Sequence, residues 1–126
     1  MDRKLFVKKW SPGFRAAISG YGEGLRTQTN VRIHLLFTLT VVSAGWYFSI
    51  RPHEWMAILG CIGLVTAMEL MNTAIEYLMD FIHPDRHAQV GKIKDLSAAA
   101  VLVAALTAVG IGLLIFPKYF LSLWHA

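Results

Sequence analysis

Apolar residues gather in three long blocks, running from Val31 to Ser49, from Glu54 to Ile82 and from Leu96 to Phe116. Each block is long enough to cross a hydrocarbon core of about 30 Å as a helix. Arg51-Pro52-His53 leaves room only for a tight turn, so the first two helices are predicted to be antiparallel neighbours. A longer polar connection opens at His83-Pro84-Asp85-Arg86-His87 and runs to Asp95. Upstream, Phe14, Ile18, Tyr21 and Leu25 recur at helical spacing, with Phe6 and Trp10 before them and Arg3, Lys4, Lys8, Lys9, Arg15 and Arg26 interspersed. That pattern predicts an amphipathic helix over residues 1–30, either lying in the membrane interface or packed on the bundle. The expected architecture is one all-α membrane domain over residues 1–126, with this surface helix and three spans at 31–49, 54–82 and 96–116.

Composition agrees: 126 residues, 56% hydrophobic, only 16% charged and a mean hydropathy of +0.50 make a poor soluble domain and a natural small membrane protein. Positive charge orients it. Seven of the twelve Lys and Arg lie between Arg3 and Arg32, and Arg86, Lys92 and Lys94 fall in the second connection. Arg51 and Lys118 are left for the opposite side, so the N-terminus and the second connection are expected in the cytoplasm, with the protein in the inner (cytoplasmic) membrane. Cys61 stands alone and reads as a packing residue. Gly20-Tyr21-Gly22-Glu23-Gly24 lacks a preceding strand and a Gly-Lys-[Ser/Thr] ending, so it is no phosphate loop but a place of close packing or local flexibility. No nucleic-acid partner is expected.

The second block breaks its own pattern. Glu69, Glu76 and Asp80 are three of the chain's eight acids, and Asn72 joins them. At ~100° per residue, positions 69, 72, 76 and 80 fall within less than a quarter of the helix circumference. A carboxylate near the bilayer centre costs at least ~2.5 kcal/mol, so such a stripe marks a protein interior or an aqueous pocket. Asp80, last in the row, also fits a plain surface carboxylate at the helix exit. Near this face, Lys94-Asp95 precedes Leu96-Ser97-Ala98-Ala99-Ala100. A cation beside a helix start is a plausible phosphate grip. Taken alone, Lys94 is an interfacial anchor and Asp95 an N-terminal cap.

Glu69-x-x-Asn72-Thr73-Ala74-Ile75-Glu76, with Lys94-Asp95 after it and Asn30-x-Arg32-Ile33-His34 before it, resembles the prokaryotic integral-membrane diacylglycerol kinase family, which includes the undecaprenol kinases. The resemblance covers nearly the whole chain. It implies a homotrimer with active sites at the cytoplasmic face, built between neighbouring protomers. It also implies ATP as co-substrate, Mg²⁺ as cofactor, and diacylglycerol or undecaprenol as the alcohol phosphorylated. Glu69 would be the general base acting on the lipid hydroxyl, with Asn72 positioning Glu69 or that hydroxyl. Glu76 would hold Mg²⁺. Asp85, Arg86 and His87 would touch the nucleotide, Lys94 its phosphates and Asp95 its adenine end. Asn30, Arg32 and His34 would line the lipid entrance, although His34 also fits an interhelical or interfacial histidine.

One departure from the family bears on the metal. A second magnesium-binding Glu usually precedes the Asn-x-Arg-Ile-His stretch, and here Gln28 occupies its place. An amide oxygen can still ligate the ion but adds no charge, which predicts a weaker second metal contact. The reading from another class is a non-enzymatic membrane module that conducts protons or binds ions through the acidic stripe. It asks for polar residues across the other spans, where Thr38, Thr40, Ser43 and Thr107 are few.

Overall fold

The computed structural model describes residues 3–126, with side chains from Pro12 onward. Five helices follow in chain order: α1 (Arg3–Thr27), α2 (Thr29–Tyr47), α3 (Pro52–Ile82), α4 (Ala88–Ile115) and α5 (Pro117–Trp124). Three stretches are long and apolar enough to cross a membrane, Thr29–Phe48, Pro52–Ile82 and the bent run Ala88–Trp124. The predicted basic side chains at Arg3, Lys4, Lys8 and Lys9, with Phe6 and Trp10, lie outside the described residues.

Helix α3 is the spine. It packs along α4 on one side and α2 on another, and α2 and α4 do not approach each other closely among the described residues. The tight turn between α2 and α3 forms as the sequence requires. Ser49 takes a left-handed backbone (φ 51°), and the amide of Ile50 returns to the Gly45 carbonyl at 3.1 Å. Ile50 is thereby turned inward, where it packs with Ile58 and Ile115 as the apolar core of this end. Gly45 has a steric reason to be glycine: a β-carbon there would lie 2.8 Å from the ring of Trp55. Gly24 is similarly close, within 3.1 Å of Leu70, whereas Gly20 and Gly22 face open space. Close packing in that glycine cluster therefore applies to one member of the three. The hydroxyl of Tyr77 donates to Thr27 Oγ1 at 2.7 Å and ties the end of α1 to α3. On α1, Tyr21 and Leu25 are half-buried while Phe14 and Ile18 are exposed, so only the C-terminal half of its apolar face meets the bundle.

Element boundaries correct two expectations. The polar connection is confined to residues 83–87, because α4 begins at Ala88 rather than at Leu96. His87 caps it, its Nδ1 accepting the Gln89 amide at 3.1 Å. Asp95 is accordingly no N-cap but an exposed residue two turns inside the helix. Lys92, Lys94 and Asp95 read as loop because they are charged, and helical turns that leave the membrane are charged too.

Candidate active site

The acidic stripe on α3 is a real face, and it is graded. Glu69 and Asn72 are buried, Glu76 is half-buried and Asp80 is exposed. Side chains of three helices meet it. From α2, His34 Nε2 lies 2.9 Å from Glu69 Oε1. From α4, the Ser97 hydroxyl is 2.5 Å from Asn72 Oδ1 and 3.0 Å from the Lys94 carbonyl. Asn72 Nδ2 in turn donates to Glu76 Oε1 at 3.3 Å, which links Ser97, Asn72 and Glu76 in one chain. Thr73 spends its hydroxyl on the Glu69 carbonyl at 3.0 Å. Further out, Lys94 Nζ pairs with Asp80 Oδ1 at 2.5 Å, with Lys94 half-buried.

Two cavities flank this face. At the α3–α4 connection an open cleft of about 440 Å³ is lined by Asp80, His83, Asp85, Arg86, His87 and Lys94 among others. Its lining mixes both charges with two imidazoles, His83 and His87, whose ring centres are 5.0 Å apart. Deeper in the bundle, an apolar groove of about 300 Å³ opens between α2 and α4 above α3, bounded by Phe37, Val41, Ile58, Val65 and Ala105, and reaching His34. The stripe runs from the edge of the groove toward the cleft.

Of the expected site residues, the structure brings together Glu69, Asn72, Glu76 and His34 in one cluster and Asp85, Arg86, His87 and Lys94 around one cleft. Asp95 is exposed and does not line the cleft. Asn30 and Arg32 are exposed on the first turn of α2, without a side-chain hydrogen bond to the cluster. Ser97 was not expected. Its signal was the one serine of an alanine-rich helix, opposite a helix that carries an amide.

A divalent cation can be tested against these donors. Glu76 Oε2 has no partner among the described residues, and Gln28 sits at the α1–α2 junction that the Tyr77–Thr27 bond holds against α3. Among the described residues no three His, Cys, Asp or Glu side chains converge as a closed metal cage. A carboxylate on α3 and an amide at the α1–α2 junction are donors that would suit Mg²⁺, which keeps waters and seldom takes an all-protein shell.

At the other end of the bundle lies a second cluster that sequence reasoning missed. Glu54 is buried and accepts the Arg51 amide at 2.8 Å, the Tyr119 hydroxyl at 2.5 Å and the Lys118 ammonium. Its partners stand 64 and 65 residues away, so no local pattern announces them. Elsewhere in the spans, Thr40 and Thr107 return their hydroxyls to carbonyls of their own helices, Leu36 and Val103. They do not extend a polar path across the bundle.

Comparison with known proteins is consistent with this geometry. Residues 15–116 match the family description "Prokaryotic diacylglycerol kinase". The chain is 36% identical to the undecaprenol kinase of Bacillus subtilis (strain 168) over 118 residues, covering 93% of this chain and 96% of that one. It is 35% identical over 102 residues to a diacylglycerol kinase of Synechocystis, covering 79% and 57% of the two chains. With a diacylglycerol kinase of Haemophilus influenzae it shares 28% identity over 103 residues, 79% and 86% of the two. These matches support an enzyme over a proton- or ion-conducting module, and the chain belongs to the prokaryotic diacylglycerol kinase family of lipid kinases.

Proposed function

We propose that this lipid kinase moves the γ-phosphoryl group of ATP to the primary hydroxyl of undecaprenol, with Mg²⁺ as cofactor. The observation that carries the reading is the arrangement of the two cavities: an apolar groove reaches His34, the partner of Glu69, and a charged cleft lies further along the same stripe. A lipid tail suits the first and a nucleotide the second. The choice of undecaprenol over diacylglycerol rests on the end-to-end match with the Bacillus subtilis enzyme.

In this account Arg86, His87 and Lys94 hold the nucleotide at the cleft, Asp85 accepts from it, and Asp95 reaches its adenine end from the flank of α4. Release of Lys94 from Asp80 frees an ammonium for phosphate, a point charge suited to that task. Glu76, with the amide oxygen of Gln28, would hold Mg²⁺, which when bound would supply charge neutralisation at the phosphates. Asn72, fixed by Ser97, orients Glu76. Glu69 is the carboxylate through which the lipid hydroxyl loses its proton. Asn30 and Arg32 border the lipid entrance. Little covalent work falls to the protein, so most acceleration comes from positioning and electrostatics.

Depth fits this division. Helix α3 has 31 residues, and a span needs about 20 at 1.5 Å each. If Pro52 marks one interface, the hydrocarbon core ends near Met71, which leaves Glu76 and Asp80 in the headgroup zone and Glu69 at its border. The basic residues of the N-terminus and of the cleft support a cytoplasmic position for that side. Assembly as a homotrimer, with α1 as a surface helix, agrees with the exposed Ala98, Ala99 and Ala100 on α4, which let helices approach closely in lipid.

The test is transfer of radiolabelled γ-phosphate from Mg-ATP to lipid in mixed micelles offered undecaprenol and diacylglycerol separately. Preferential labelling of undecaprenol supports the reading. Preferential labelling of diacylglycerol overturns the acceptor, and labelling of neither overturns the kinase.

A further inference from the structure

We infer that His83 is a specificity residue for the nucleobase: its imidazole accepts an N–H of the adenine 6-amino group, while His87 donates to the ring nitrogen beside it. This deepens the proposed function and rests on that reading.

Both histidines are held by the ends of their helices. A residue before proline is pushed out of the helical region, so α3 stops at Ile82 and His83, ahead of Pro84, turns away with φ −144°. Its amide still donates to the Met79 carbonyl at 2.9 Å, which anchors the residue at the helix end. His87 is the N-cap of α4. The two rings line the open cleft together, with centres 5.0 Å apart and planes at 50°. Rings in contact at that tilt leave no slot between them for a third, so recognition falls to their nitrogens.

The hydrogen bonds fix what each nitrogen offers. His83 Nδ1 lies 3.2 Å from the Asp85 carbonyl, which can only accept, so that nitrogen carries a proton and Nε2 keeps the lone pair. His87 Nδ1 accepts the Gln89 amide at 3.1 Å, so its proton is on Nε2. Neither Nε2 has a hydrogen-bond partner among the described residues. The pair therefore offers one acceptor and one donor. Phosphate oxygens need donors, which Arg86 and Lys94 supply from the same lining, whereas the lone pair of His83 suits an N–H. Adenine presents an amino donor beside a ring-nitrogen acceptor, and guanine has an acceptor oxygen in place of that amino group. With guanine, lone pair would face lone pair, and a polar group left unpaired in a site is what makes rejection strong. The amino group has two N–H bonds, so a contact with His83 leaves one for Asp95.

A merely structural His83 makes a different prediction. If its only task is the bond to the Asp85 carbonyl, which shapes the connection, replacing it weakens every nucleotide alike. A contact with the 6-amino group weakens only the nucleotide that carries one.

The experiment measures kcat/KM for transfer to whichever lipid alcohol wild type labels, from Mg-ATP, Mg-GTP and the magnesium complex of purine riboside triphosphate, which lacks the amino group. Wild type, His83→Ala and His83→Gln are compared, and recovery of folded protein is followed by thermal unfolding. Wild type is expected to prefer ATP over the analogue, and His83→Ala to cut that preference about fivefold, the size of one hydrogen bond. In His83→Gln the side-chain amide can turn its NH₂ toward the base, which raises the use of GTP relative to ATP about fivefold. Equal losses for ATP and the analogue in His83→Ala, a wild type that does not distinguish the two, or an unchanged GTP-to-ATP ratio in His83→Gln overturns the inference and leaves the kinase reading intact. A wild type that labels lipid from no nucleotide overturns both.

Discussion

Two acids on α3, Glu54 and Glu69, are almost equally buried, at 4% and 3% exposure, and they have opposite surroundings. Glu54 is closed. A backbone amide from the α2–α3 turn and an ammonium and a phenol from the start of α5 converge on it. Glu69 is open. Among the described residues its side chain has one partner, a partly exposed imidazole at the edge of a groove, and Asn72 and Glu76 continue the polar row toward the cleft. Burial alone therefore does not mark a functional carboxylate. What separates the two is whether the acceptor positions are filled by groups that hold the fold, since a buried polar group fully satisfied rigidifies its surroundings.

That contrast can be broken in order of expected size. Glu69→Gln keeps the shape of the side chain and removes its charge, and should lower kcat by about 10²–10⁴-fold with little change in thermal unfolding. Kinetics beside a melting curve check it. At the closed end, Gly45→Ala forces a methyl into the Trp55 ring, and overpacking of that kind costs about 1–3 kcal/mol. Thermal unfolding should register the loss while turnover per folded molecule stays near wild type. Ser97→Ala removes the bond that orients Asn72, a change worth about 1 kcal/mol, or roughly fivefold. It should appear as weaker binding of Mn²⁺ with a non-hydrolysable ATP analogue, read by electron paramagnetic resonance, with a small loss of thermal stability from the buried Asn72 oxygen left unpaired. Smallest is Gln28→Glu, which restores a charge near Glu76 and should lower the Mg²⁺ concentration for half-maximal rate a few-fold in a titration.

The same contrast explains what the sequence made legible. Helix number, the tight turn and the polar face of α3 follow from period and hydropathy, which are local properties. The row 69, 72, 76, 80 needed only the helical repeat. Start positions were less legible at α4, where charged helical turns above the membrane look like loop until the His87 cap is seen. Pairings between distant elements were not legible at all. Nothing near Glu54 points to Lys118 and Tyr119, and although Lys94 was expected beside the acidic face, nothing singled out Asp80 as its partner. His34 was recognisable as a site residue, yet its contact with Glu69 depends on how α2 crosses α3, which is a property of packing.

The most direct test of the contrast is one paired measurement: lipid phosphorylation and thermal unfolding of Glu54→Gln and Glu69→Gln side by side, with turnover normalised to folded protein. The account predicts a double dissociation, with Glu54→Gln less stable but active per folded molecule and Glu69→Gln stable but inactive. Equal losses of stability in both, or an active Glu69→Gln, would contradict it.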